Sequence, residues 1–193
     1  MALGDLEITA LLDGTLPLPL PEMYRDVAAG DAAQLLRGAF RDIPTDTSVN
    51  AFLVNDGERL VLIDAGTGHY LGGEVGHLAA NLEASGYNAS QIDHVILTHV
   101  HTDHSGGLVR DGKVVFDNAV VHVPERELEF WLKTPADARP KGMNQQLFKE
   151  AEECLRPYLQ RGKVVGFRDD GDVIAGFRSI LRPGHTPGHS AIV

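Results

Sequence analysis

Apolar and polar positions alternate early in the chain in a way that predicts strands. Residues 6–12 alternate loosely and stop at the Asp-Gly pair of residues 13–14, which predicts a strand that ends in a turn. Residues 49–55 and 60–64 flank the Asp-Gly pair of residues 56–57, a pair typical of a hairpin turn. The second strand of this hairpin begins with four successive apolar residues, so we expect both of its faces to be buried.

Residues 16–21 alternate leucine and proline. Each proline lacks an amide hydrogen and restrains the residue before it, so the segment is predicted to be neither a helix nor a central strand. We expect an extended segment that packs across the surface, at the rim of a pocket or in a contact between copies of the chain.

Later in the chain, helical and strand patterns alternate. Apolar residues recur at helical spacing in four segments, residues 31–40, 74–85, 124–132 and 143–158. Strand patterns occupy residues 94–98, 164–167, 172–174 and 177–181, with two short strands between residues 114 and 123. Strands first, and alternating helices and strands afterwards, indicate a layered α+β (α/β) fold.

Composition and charge narrow the class of protein. The chain has 193 residues, 43% hydrophobic and 23% charged, as in ordinary globular proteins, and residues 1–193 are interpreted as one domain. With 27 acidic and 17 basic residues the formal net charge is −10, which disfavours nucleic acids and anionic membrane surfaces as partners. No stretch reaches the roughly 18 apolar residues that a membrane-spanning helix needs.

Cysteine usage and the N-terminus predict the compartment. The single cysteine, Cys154, excludes an internal disulfide, and its setting predicts a buried, unreactive thiol. The first five residues contain neither the basic nor the apolar region of a signal peptide. We therefore expect a reduced, cytoplasmic protein.

One short stretch directly after a predicted strand concentrates groups that bind metals. His99, His101, Asp103 and His104 lie within six residues of one another. Two residues apart in an extended chain, His99 and His101 point to the same side. Imidazole and carboxylate suit zinc, iron, manganese or cobalt, so we predict a metal site here. A polar loop that binds no metal is the disfavoured alternative.

A second histidine cluster, residues 183–190, also follows a strand and lies among glycines and prolines. His185 is the natural third ligand for a metal held by the first cluster, whereas His189 is expected to be a half-buried, hydrogen-bonded histidine that supports the site. Asp64, at the end of an apolar strand, is expected to orient the metal-binding loop instead of binding the metal directly.

Three motifs in this order resemble those of the metallo-β-lactamase superfamily: residues 62–66, residues 99–107 with the pattern His-x-His-x-Asp-His-x-Gly-Gly, and residues 184–189. The resemblance covers most of the chain and implies a four-layer αββα sandwich built from two similar halves. Within this superfamily, residues 47–55, 78–82 and 129–132 are similar to the branch that contains methyl parathion hydrolase and quorum-quenching lactonases.

The resemblance implies a site for two divalent cations, with zinc as the first choice and iron, manganese or cobalt as alternatives. His99, His101 and His185 would bind one cation, and Asp103 and His104 the other. The family's bridging carboxylate and last histidine have no counterpart in the sequence, which stops at an unfinished apolar strand. We expect the first half of the sandwich plus the opening of the second, as part of a longer protein, with a truncated variant as the alternative.

A pair of cations lowers the pKa of water from about 16 towards neutrality, which makes hydroxide available for hydrolysis. The predicted function is a metal-dependent hydrolase that cleaves a lactone of the N-acyl homoserine lactone type or a phosphotriester of the methyl parathion type. Asp103 is the predicted catalytic residue, holding a metal and moving a proton. Trp131 and Phe148 lie between the metal motifs and are predicted to line an apolar pocket for the substrate, with core positions on amphipathic helices as the alternative.

Two other functions stay open. A glyoxalase II-like thioesterase shares the histidine motif, and a non-catalytic metal-binding module would follow from loss of the second metal. The expected partner is a small-molecule substrate, with neither nucleic acid nor membrane involved, and the leucine-proline segment would allow a homodimer.

Overall fold

The computed structural model describes residues 1–24 and 26–193. The strands in this part of the chain are β1 (Ala2–Leu3), β2 (Leu6–Leu18), β3 (Thr45–Asn55), β4 (Leu60–Ile63), β5 (His94–Ile96), β6 (Val109–Arg110), β7 (Lys113–Val114), β8 (Val120–Pro124), β9 (Val164–Phe167), β10 (Asp172–Ile174), β11 (Phe177–Leu181) and β12 (Ser190–Ile192). The α-helices are α1 (Leu20–Met23), α2 (Ala29–Gly38), α3 (Leu78–Ala84), α4 (Thr102–Ser105), α5 (Glu125–Lys133) and α6 (Gln146–Gln160).

Seven of the strands form one mixed sheet in the order β1-β2-β3-β4-β5-β8-β9. The strands β1 to β4 pair antiparallel, whereas β4, β5, β8 and β9 pair parallel. Parallel neighbours need crossover connections, and α3 lies in the first of these and α5 with α6 in the last. Because parallel strands end at the same edge of a sheet, the segments that follow β4, β5 and β8 begin side by side.

The sheet separates two hydrophobic cores. On one face Leu62 and Val121 belong to a core that includes buried side chains of α3, α5 and α6. On the other face Val61 and Ile96 pack with Phe177, which belongs to the smaller sheet β10-β11-β12. The adjacent residues Val61 and Leu62 thus enter different cores, which confirms that the hairpin's second strand is buried on both faces. The described residues form helix, sheet and sheet layers, and the α+β fold class is confirmed.

The leucine-proline segment matches its prediction only in part: residues 16–18 are extended, but residues 20–21 are helical. Residues 16–18 continue β2 and pair with β3, with Pro17 opposite Asp46. The pairing tolerates Pro17 because β1 covers only the first two residues of β2, so the proline lies on a stretch of strand whose outer side has no partner in the described residues. Pro21 lies in the first turn of α1, where a missing amide hydrogen breaks no helical bond.

The turn predicted at residues 13–14 is also absent from this structure, because β2 passes through it with a shift of register between Leu12 and Gly14. Asp13 instead folds inward, and its buried carboxylate accepts hydrogen bonds from the amides of Thr67, Gly76 and Leu78. These bonds hold residues 74–77 outside the helix, so α3 begins at Leu78, four residues later than predicted.

Most of the other elements match their predictions. The hairpin of β3 and β4, the helix that follows Pro124 and the strands β9, β10 and β11 lie where the pattern placed them. The predicted helix over residues 143–158 is α6, which starts three residues later and ends two later. Within residues 1–24 and 26–193, the structure contains no helix with the length and apolar character needed to cross a membrane.

Candidate metal centre

Two loops at one edge of the large sheet bring three histidines together. His99 and His101 follow β5, whereas His185 lies in the connection between β11 and β12. Ring nitrogens of these three residues lie within 4.8 Å of one another. His101 Nδ1 and His185 Nε2 are 2.9 Å apart. The sequence separation is large, so tertiary structure alone creates this cluster.

Backbone hydrogen bonds hold the second loop against the first. The Ser190 amide, at the start of β12, donates to the Thr98 carbonyl over 3.0 Å. The loop itself is closed by the Arg182 amide, which donates to the His189 carbonyl over 2.7 Å. His185 is therefore carried on a closed loop whose end is attached directly beside His99.

Asp64 organises the start of the metal motif. Its Oδ1 accepts a hydrogen bond of 2.8 Å from the Thr98 amide, and its Oδ2 lies 3.0 Å from the Thr98 hydroxyl oxygen. That hydroxyl lies 3.0 Å from His99 Nδ1. Since the hydroxyl hydrogen is directed to the carboxylate, His99 donates from Nδ1 and carries its lone pair on Nε2.

The free nitrogen of His99 fits a metal ligand. His99 is 1% exposed, and its Nε2 is buried without a hydrogen-bond partner in the described residues. Burial, and then the neighbouring His104 and His101, lower the pKa of His99 far below its usual range. Burial, and then His185, lower the pKa of His101 to about 4. Both rings are therefore neutral at pH 7, the form that binds divalent cations.

Asp103 and His104 lie in the four-residue helix α4, directly after His101. His104 Nδ1 is 2.7 Å from Asp64 Oδ2, and His104 Nε2 is 3.3 Å from Asp103 Oδ2. The ring centroids of His104 and His99 are 4.1 Å apart, so this pair adjoins the three histidines. Burial lowers the pKa of His104, but hydrogen bonds to Asp103 and Asp64 outweigh it and raise that pKa to about 10.

Gly106 and Gly107 allow two backbone segments to approach closely. A Cβ on Gly107 would collide with the Ala65 carbonyl oxygen, and one on Gly106 with the Thr67 carbonyl. The Ala65 amide donates to the His104 carbonyl over 2.7 Å, which joins the same two segments. The glycines thus serve contact between the loop after β4 and the metal motif.

Glu127 is a residue of the site that the sequence pattern did not single out. It lies in the first turn of α5, where acidic residues are common because they favour a helix N-terminus. Its side chain is completely buried, and its carboxylate accepts hydrogen bonds from the amides of Val100 and Gly188 and from Trp131 Nε1. Its role is visible only in the folded chain, where it lies between two loops that are far apart in the sequence. No spacing of residues in the sequence indicates this role.

Trp131 and Phe148 lie in the hydrophobic core, each 2% exposed, instead of on the wall of a pocket. Their rings pack on each other with centroids 4.9 Å apart. Trp131 contacts the site through its Nε1, which donates to Glu127, and through its edge-on contact with the His101 ring, at 5.4 Å between centroids. Their position between the metal motifs suggested a substrate pocket, but their burial reflects the packing of α5 against α6 and supports a packing role for both.

Of the remaining histidines and the cysteine, His189 lies beside the three clustered histidines and the others lie elsewhere. His189 is half-buried, with its ring 4.9 Å from that of His99, but its Nδ1 lacks the expected partner among the described residues. His94 and His122 contact each other over 3.0 Å in β5 and β8. Burial raises the pKa of Cys154 to about 11, in agreement with an unreactive thiol.

Comparison with known proteins gives a consistent family and fold. The profile of the metallo-beta-lactamase superfamily matches residues 44–193. The hydrolase AbOPH of the beta lactamase superfamily has a TM-score of 0.91 and 37% identity, over 100% of this chain and 67% of AbOPH. AidC, a dizinc quorum-quenching lactonase in complex with the product N-hexanoyl-L-homoserine, has a TM-score of 0.85 and 27% identity, over 100% of this chain and 68% of AidC.

A curated relative is the N-acyl homoserine lactonase AiiA of Bacillus thuringiensis subsp. kurstaki, which is 29% identical over 111 residues. The match spans 58% of this chain and 36% of AiiA. The chain therefore corresponds to about a third of the curated relative and to about two thirds of the solved structures.

Proposed function

Because this chain belongs to the metallo-beta-lactamase superfamily, we propose that it carries the metal centre of a metal-dependent hydrolase. The observation that supports this most is the meeting of His99, His101 and His185 around His99 Nε2, a buried atom that has no hydrogen-bond partner among the described residues. A buried polar atom without a partner costs free energy unless a ligand pairs with it. A divalent cation is the partner that three converging imidazole nitrogens suit best.

Different residues of the chain would bind the two cations of such a site. His99, His101 and His185 would hold one cation, and Asp103 with His104 would contribute to a second, zinc being the first choice. When bound, such cations polarise a carbonyl or phosphoryl oxygen and lower the pKa of water. Burial raises the pKa of Asp103, but its hydrogen bond to His104 outweighs this and holds that pKa below its usual value. The charged Asp103 carboxylate would accept a proton from the attacking water.

We propose a lactone of the N-acyl homoserine lactone type as the substrate. The support is that AiiA is an N-acyl homoserine lactonase and that AidC holds the opened product N-hexanoyl-L-homoserine. A phosphotriester is the second candidate, since cations held by the same residues would also polarise a phosphoryl oxygen. A thioester or a purely metal-binding role would be separate outcomes of the same experiment.

The test begins with the metal and continues with the substrate. Native mass spectrometry of the metal-free chain after addition of zinc should show bound cations in the wild type and their loss in His101→Ala. The matched control is His77→Ala, which removes an exposed histidine outside the cluster. Hydrolysis of N-hexanoyl homoserine lactone, methyl parathion and an acyl-glutathione is then measured with zinc and with chelator.

We expect zinc-dependent opening of the lactone that His101→Ala abolishes and His77→Ala leaves unchanged. Zinc binding without turnover of any substrate would favour the non-catalytic module. Preferential cleavage of the acyl-glutathione would favour the thioesterase. Equal zinc binding by the wild type and His101→Ala would contradict the proposed site.

A further inference from the structure

The three histidines come from two loops that are far apart in the sequence, and one buried side chain touches both loops. Glu127 lies in the first turn of α5 and is 0% exposed. Its Oε2 accepts a hydrogen bond of 3.0 Å from the amide of Val100, the residue between His99 and His101. Its Oε1 accepts one of 2.7 Å from the amide of Gly188, in the loop that carries His185.

A third donor completes the set around this carboxylate. Trp131, one turn further along α5, donates from Nε1 to Glu127 Oε2 over 2.8 Å. The three groups facing Glu127 are thus all donors. A carboxylate satisfies them because both of its oxygens accept, whereas an amide at this position would turn a donor towards one of the loops.

Packing at Gly188 shows how closely the second loop approaches α5. A Cβ on Gly188 would lie 2.9 Å from both Glu127 Cγ and the Glu127 backbone nitrogen. The loop therefore lies directly on the start of the helix, with no space for a side chain. The hydrogen bond between Glu127 and Gly188 is part of a fixed contact.

We propose that Glu127 is a positioning residue that sets the separation between the pair His99 and His101 and the third histidine, His185. By holding Val100 and Gly188 on its two oxygens, it fixes the metal-binding loops at one distance before any cation arrives. This inference rests on the proposed function, since it concerns the affinity and geometry of the same centre. Partners that orient ligands in this way typically change metal affinity by about 10–100-fold when removed.

The test uses Glu127→Gln, which keeps the shape of the side chain. The amide oxygen can still accept from Val100 and Trp131, but its nitrogen then faces the Gly188 amide and the contact with the second loop is lost. The control is Tyr158→Phe, which removes buried hydrogen bonds to Leu108 and Phe116. This control measures the effect of lost stability away from the histidine loops.

Two readouts separate positioning from simple destabilisation. Cobalt affinity, measured by competition with a chelator under conditions where every variant is folded, should fall by about 10–100-fold in Glu127→Gln and by less than twofold in Tyr158→Phe. The visible spectrum of bound cobalt should change only in Glu127→Gln. In the metal-free chain, hydrogen exchange at the Gly188 amide should accelerate in Glu127→Gln and not in Tyr158→Phe.

The outcomes distinguish this inference from the function on which it rests. If the wild type binds cobalt and Glu127→Gln binds it with equal affinity and an unchanged spectrum, the positioning role is overturned while the metal centre stands. If the two variants weaken cobalt binding equally, Glu127 acts through stability alone and the role is again overturned. If the wild type binds no cobalt, the proposed metal centre fails and this inference fails with it.

Discussion

Asp64 follows β4 with a φ of 60°, a left-handed backbone conformation that is costly for a residue with a Cβ. Its carboxylate accepts hydrogen bonds from the amide and the hydroxyl of Thr98 and contacts His104 Nδ1. These contacts compensate the backbone conformation and connect the end of one strand to the metal motif that follows the next.

We expect Asp64→Asn to lower the free energy of unfolding of the metal-free chain by about 1–3 kcal/mol. The amide nitrogen that replaces one carboxylate oxygen would face the donors of Thr98 or His104, which leaves a buried donor unpaired. Urea denaturation without metal measures this cost. Asp46→Asn, which changes an exposed aspartate of β3, should leave the midpoint unchanged. Equal midpoints for the wild type and Asp64→Asn would show that these bonds add nothing to stability.

The loop after β4 and the α4 segment form a close contact between two elements at the sheet edge. The contact is close because Gly107, just after α4, has no side chain. A Cβ at this position would collide with the Ala65 carbonyl oxygen. The Gly107 amide also donates to the Gly66 carbonyl over 3.0 Å. The loop would have to move away if any side chain were placed there.

Gly107→Ala should destabilise the chain by about 1–3 kcal/mol, because the new methyl group would force two backbone segments apart. The matched control is Gly73→Ala, since a Cβ there would meet no atom within 4 Å and Gly73 has no positive φ. Thermal and urea unfolding of both variants test the prediction. A stability of Gly107→Ala equal to that of Gly73→Ala would contradict the close contact.

A second contact between elements joins the parallel strands β5 and β8 through two histidines. His94 Nδ1 and His122 Nε2 are 3.0 Å apart, and His122 Nδ1 is buried without a partner in the described residues. Burial, and then the charge of His94, lower the pKa of His122 from 6.5 to about 4. The unfolded chain therefore binds a proton at this residue more readily than the folded chain between these two pH values.

Stability should consequently fall as the pH decreases from about 6.5 to about 4, because protons favour the unfolded state in that window. His122→Leu removes this term, so the slope of unfolding free energy against pH near pH 5 should decrease by about 1 kcal/mol per pH unit. Urea denaturation at several pH values measures the slope. His77→Leu, at an exposed position, controls for the loss of a histidine. An unchanged slope in His122→Leu would show that His122 titrates alike in both states.

At the scale of the whole molecule, the described residues leave an apolar groove of about 510 Å³ between the large sheet and the sheet β10-β11-β12. Leu3, Phe52 and Phe177 are among its lining residues, and Phe52 is 45% exposed. Exposed apolar surface of this kind marks a place where other groups bind. Asp64 and Thr98 also line the groove, which therefore reaches the residues that support the metal motif.

We expect the native chain to bind a hydrophobic fluorescent dye in this groove, and Phe52→Ser to lower the dye fluorescence by about half or more. Phe40→Ser is the control, because Phe40 is 97% exposed and lies outside the groove. Near-ultraviolet circular dichroism verifies that both variants stay folded. An equal dye signal from the wild type and Phe52→Ser would place the binding surface elsewhere.

Local pattern was sufficient for most elements and for the chemistry of the first histidine loop. The apolar runs at residues 60–63 and 164–167 predicted strands because burial in a sheet repeats over a few residues. The prediction at residues 16–21 was right in part: residues 16–18 are extended, but they pair with β3, because the tolerance of β2 for Pro17 depends on which strands lie beside it. Leu20 and Pro21 belong to α1, which the prediction excluded. The order of the strands in the sheet cannot be predicted from the residues of this segment alone.

The sequence by itself determined the layered α+β fold, the family to which its motifs point, and the donors clustered at residues 99–104, because these depend on residue type and short spacing. Tertiary structure decided that His185 meets His99 and His101, that Trp131 and Phe148 belong to the core, and that Glu127 joins the two loops. Such contacts between residues far apart in the chain arise only after the strands take their order in the sheet. A buried carboxylate such as Glu127 is therefore recognised by the donors around it, which the folded chain alone brings together.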